Sequence, residues 1–148
     1  MKLQKVFNNV ILLPIYIVHI YTWLMASGEK FLGGPIPENF TKAFGATFLG
    51  IFPGVTVSFY QIAVMELATA LLFVASLVRG EFFEGSPRPL LNWGLWLATL
   101  NFAMLGFGMR LVNNYQGAAD LFQYLGANVV IWLFVCYHGN SLPLKSKN

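Results

Sequence analysis

Glu66 lies at the middle of an apolar run, VTVSFYQIAVMELATALLFVASLVR, from Val55 to Arg79. An ionisable group at the centre of a membrane-length helix costs at least ~2.5 kcal/mol even on lenient insertion scales, so it must face protein or water and have a partner. Three further polar side chains, His19, Asn101 and Asn128, come from separate apolar stretches. If each stretch is centred in a bilayer, Glu66, Asn101 and Asn128 fall within about one residue of the midplane, and His19 ~4 Å above it. The chemistry this suggests is proton exchange between a carboxylate and an imidazole, or capture of a polar headgroup, with the two amides orienting it. The same residues serve equally as interhelical glue, each bond worth on average only ~0.6 kcal/mol in a membrane. Both readings stand for Glu66, whereas neutral amides are common glue, which favours the structural role for Asn101 and Asn128. Desolvation disfavours a charged Glu66 unless a cation or a water channel lies beside it.

Four elements must position these residues. The run around Glu66 is ~36 Å of helix, enough to cross a hydrocarbon core of ~30 Å with some tilt. Residues 6–27, VFNNVILLPIYIVHIYTWLMAS, form an apolar run too long for a signal-peptide core and read as an uncleaved first span, stopped at Gly28. Pro14 lies inside it, and Tyr16, His19, Thr22 and Trp23 form a polar stripe at helical spacing. The third span is expected at 89–112, with Gly94, Ala98, Asn101 and Gly108 as a small-residue seam, and the fourth at 118–138. Short connections between spans imply an antiparallel four-helix bundle in a single domain covering residues 1–148, with a disordered tail at 140–148.

Between the first two spans, Gly33-Gly34-Pro35, Pro37 and Pro53-Gly54 break the chain, and Phe40, Phe44, Phe48 and Ile51 share one face between the breaks. A short amphipathic helix at 39–52, with Asn39 as its N-cap, is expected to lie at the interface. It is either a packed loop helix or a lid over a lipid-facing site.

Composition supports a membrane class: 57% of residues are hydrophobic, 10% are charged and mean hydropathy is +0.62. A soluble domain carries about 25% charged residues, so a water-facing surface cannot be covered. One cysteine, Cys136, excludes an intramolecular disulfide or a CxxC relay, and two histidines cannot make a zinc site. His19 is expected near the middle of the membrane and His138 at its edge, which argues against a haem held between them. Lys2, Lys5, Arg79, Arg88, Lys145 and Lys147 fall on one side, against Lys30, Lys42 and Arg110 on the other. That imbalance puts both termini in the cytoplasm, and the small net charge of +3 fits membrane orientation better than nucleic-acid binding.

The stretches GEKFLGGPIP, FLGIFPG and MELATALLFVASL resemble the DoxX-like family of small four-helix membrane proteins, closely in the first half of the chain and by topology in the second. The resemblance implies a bacterial inner-membrane protein and adds Lys30 to Glu66 as a candidate residue. It also implies either of two roles. One is the membrane subunit of a quinone-linked oxidoreductase, with a quinone headgroup near Glu66 and His19 and the electron donor in a partner subunit. The other is a non-catalytic assembly or stabilising subunit for other membrane proteins. A small-solute carrier is disfavoured by the lack of an inverted repeat.

Overall fold

The computed structural model describes residues 10–83 and 85–140, with side chains as far as Tyr137. The expected start of the first span, the tail from residue 141 and the His138 ring therefore lie outside the described residues. What is described is all helical: α1 (Leu13–Leu32), α2 (Glu38–Gly45), α3 (Val55–Val78), α4 (Pro89–Leu111) and α5 (Tyr115–Asn140), with one 3-10 turn at Phe48–Gly50. Three of them, α3, α4 and α5, are long and apolar enough to cross a membrane. α1 is not among them; it carries its polar stripe and ends near Glu29 and Lys30.

Helix α1 packs on α3, α3 on α4 and α4 on α5. The contacts also give directions. Tyr16 meets Ser76 and the His19 ring stacks on Phe73, so numbers rise along α1 as they fall along α3. In the same way Asn101 bonds Thr69 while Gly94 closes on Phe73, and Trp132 bonds Asn92 while Phe122 closes on Gly106. Each successive pair is antiparallel. No comparably close backbone packing joins α1 to α5 among the described residues.

The buried face of α3 mixes apolar and polar residues, while its outward face is apolar. Phe59, Ala63, Glu66, Thr69, Ala70, Phe73 and Ser76 form the buried face of α3, while Val57, Val64, Leu71 and Val78 stand exposed on the other. A helix apolar on its outward face needs lipid around it.

Several boundaries differ from those expected, each for a local reason. Gly28 does not stop α1, which continues to Leu32; Gly33 ends it, donating to Glu29 O at 3.0 Å, before Gly34 takes φ of +92°. The interfacial helix is shorter than 39–52. Pro37, not Asn39, is its N-cap, and Thr47 separates it from the following turn by donating to Phe44 O and accepting from Leu49 N. α5 begins at Tyr115 rather than 118 because Asn114 Oδ1 accepts from Gly117 N. The hairpin before it is closed by Asn113 at φ 58°, with Asn113 N on Arg110 O and Asn114 N on Met109 O. That is a Schellman cap with asparagine in the left-handed position.

Candidate functional site

Glu66 sits on the buried face of α3, 1% exposed. Its partner is Lys30, in the last turn of α1. The Lys30 side chain runs back along its own helix, donating to Ala26 O at 3.3 Å, and places Nζ 2.9 Å from both Oε1 and Oε2 of Glu66. Helical side chains lean toward the N-terminus, so a lysine near the C-terminal end of α1 reaches inward rather than out to headgroups. The carboxylate thus has the cation that a charged form requires, and the lysine remains half-buried.

His19 is not part of that pair. It lies level with Phe73, whose ring it stacks on at 4.5 Å and 5°, and Phe73 is seven residues from Glu66, ~10.5 Å along α3. Its Nδ1 accepts from Trp23 Nε1 at 3.3 Å.

The two amides are used in one repeated way. Thr69 Oγ1 donates to Met65 O one turn back, and Asn101 Nδ2 reaches from α4 to Thr69 Oγ1 at 2.8 Å and Met65 O at 3.3 Å. One helix further on, Thr99 donates to Leu95 O, and Asn128 Nδ2 reaches from α5 to Thr99 Oγ1 at 2.8 Å and Leu95 O at 2.9 Å. Each asparagine therefore binds a carbonyl and a threonine on the preceding helix. The polar midplane is three separate helix-to-helix contacts plus a stacked imidazole, not one cluster around Glu66.

An apolar cavity of about 220 Å³ lies between α2, α3 and α4, lined by Phe40, Phe44, Ile62, Met104 and Leu105 among others, and neither Lys30 nor Glu66 lines it. Ile62 is one turn from Glu66 and Leu105 one turn from Asn101, so the cavity begins about one turn from the ion pair and extends away from it. Helix α2 closes it: Phe44 is buried, and Phe40 sets its edge against Phe59 at 5.1 Å and 73°. Of the expected seam, Gly94, Ala98 and Asn101 are buried, whereas Gly108 faces Phe44 of α2.

A second polar network escaped sequence reasoning. Glu81, 3% exposed in the turn after α3, accepts from Ser76 Oγ at 2.8 Å and from the first-turn amides of α4, Leu90 N at 3.3 Å and Leu91 N at 2.9 Å. Ser76 Oγ in turn bonds Tyr16 of α1, and Arg88 Nε donates to Glu81 O while its Nη1 reaches Val135 O of α5. Burial pulls the Arg88 guanidinium down from its usual range, and the neighbouring Tyr16 and Glu81 push it back up. The available signal was an acidic residue between a helix-ending glycine, Gly80, and a helix-starting Pro89, which is where a carboxylate can satisfy the free amides of a first turn.

Comparison with family models, with curated proteins and with solved structures finds no match for the chain.

Proposed function

We propose that this chain is a four-span integral membrane protein of the DoxX-like type, acting as the membrane subunit of a quinone-linked oxidoreductase. The observation that carries the reading is the buried Lys30–Glu66 pair, with an apolar cavity that begins one helical turn away at Ile62. A carboxylate and an ammonium that share a proton, with space for an apolar ring or tail one turn along the helix, are what a quinone headgroup needs on reduction, when it gains protons along with electrons. The electron donor belongs to a partner subunit. α1, at 20 residues ~30 Å long, serves as the fourth span.

Both termini face the cytoplasm of a bacterial inner membrane. Arg88 and Lys30 are held in the interior and leave the surface tally, so five basic residues on the terminal side face two, Lys42 and Arg110, on the other. The bias keeps its sign.

The second reading, a non-catalytic assembly subunit, draws support from the side-by-side amide contacts, which are sufficient as glue. The deciding experiment is purification from membranes in mild detergent, comparing native protein with Glu66→Gln for retained quinone and for quinone-linked turnover in membranes. Loss of both in a variant that folds normally is expected. An unaffected Glu66→Gln leaves the assembly role.

A further inference from the structure

Two buried polar atoms have no hydrogen-bond partner among the described residues: His19 Nε2 and Asn128 Oδ1. Their chemistry is fixed by what their other atoms touch. Trp23 Nε1 can only donate, so His19 Nδ1 is the acceptor and the neutral ring carries its proton on Nε2. Leu95 O can only accept, so the Asn128 amide nitrogen must face it and Oδ1 must face away. One atom is therefore an unpaired donor and the other an unpaired acceptor, on residues 5% and 2% exposed.

They also share a level. Trp23 meets Phe102 at 4.7 Å, which places His19, one turn earlier on α1, opposite Ala98, one turn earlier on α4. Asn128 bonds Leu95 and Thr99, on either side of Ala98. The α4 residues buried at this height are Gly94, against which Phe73 packs, Leu95 and the small Ala98. α1 and α5 are also the outer helices of the packing order, without the close backbone contact that joins the others.

We propose that His19 and Asn128 together bind a single hydroxyl group, accepting from His19 Nε2 and donating to Asn128 Oδ1, and so bridge α1 to α5. A hydroxyl is the smallest group that does both, and leaving each atom unpaired would forfeit its full desolvation cost. Water and the hydroxyl of a lipid-soluble alcohol or quinol share this chemistry. The site is independent of Lys30 and Glu66.

A double-mutant cycle on thermal unfolding tests it, with His19→Phe, Asn128→Leu and the double variant in the same detergent. Each change also removes private bonds, to Trp23 and to Leu95 and Thr99, but these cancel in the cycle. A bridged pair makes the double variant lose several degrees less than the sum of the singles; strict additivity would overturn the proposal. If either variant does not fold, native protein in nanodiscs decides, by solid-state NMR of proton transfer to His19 Nε2, a signal told from His138 by its bond to Trp23. Transfer from water in perdeuterated lipid identifies water, and transfer from protonated lipid or quinol in deuterated water identifies a lipid-soluble guest. No transfer in either arm rejects the site.

Discussion

Lys30 Nζ lies 2.9 Å from both carboxylate oxygens of Glu66, so the last turn of α1 is tied to the midpoint of α3 by a charge pair in the protein interior. Breaking one side of such a pair leaves an uncompensated buried charge and costs up to about 3–5 kcal/mol, whereas replacing both sides with apolar groups is often neutral. Lys30→Met is therefore expected to lower the unfolding temperature in detergent sharply, and adding Glu66→Leu to recover most of the loss. A double variant no more stable than Lys30→Met would show that the pair is not the main interaction of Glu66.

Gly94 and Gly106 separate tight contact from intolerance. A Cβ at Gly106 would come within 2.8 Å of Phe122 and one at Gly94 within 3.2 Å of Phe73. Phe122 is exposed and can turn aside, while Phe73 is 0% exposed, stacked on His19 and edged by Tyr16. Gly94→Ala is thus expected to cost about 1–3 kcal/mol, as overpacking does, and Gly106→Ala less, despite its shorter distance. Equal losses in a thermal assay would mean that Phe73 relaxes as freely as Phe122.

Removing the Glu81 carboxylate orphans two first-turn amides of α4 and leaves the Ser76 hydroxyl with Tyr16 alone. Glu81→Ala should destabilise by at least about 1–3 kcal/mol, the cost of a single unsatisfied buried group, and Glu81→Gln by less, since its carbonyl still accepts. Hydrogen exchange at Leu90 and Leu91 reports the effect directly, with faster exchange in the alanine variant.

Helix α2 is held mainly by Phe40 and Phe44, while Thr41, Lys42 and Ala43 are exposed. Its amides are expected to exchange well before those of α3, whose buried face runs the length of the helix. Protection equal to that of α3 would make α2 a fixed wall of the cavity rather than a movable cover.

What the sequence determined by itself was what hydropathy and local breakers encode. The spans at 55–79 and 89–112 agree with α3 and α4 to within a residue, because an apolar run bounded by Gly54, Gly80 and Pro89 specifies its own ends. The need of Glu66 for a partner was equally legible, since a lone carboxylate in that run is too costly. Which partner was decided only by the tertiary structure. Lys30 is 36 residues away and beyond a glycine that reads as a helix stop, so only the packing of α1 against α3 brings its ammonium to Glu66. Depth in the bilayer set Asn101 and Asn128 at the height of Glu66 and His19 ~4 Å above it, but depth carries no information about helix rotation or register. Rotation turns the asparagines onto Thr69 and Thr99, and the antiparallel register of α1 on α3 sets His19 on Phe73 instead of the carboxylate.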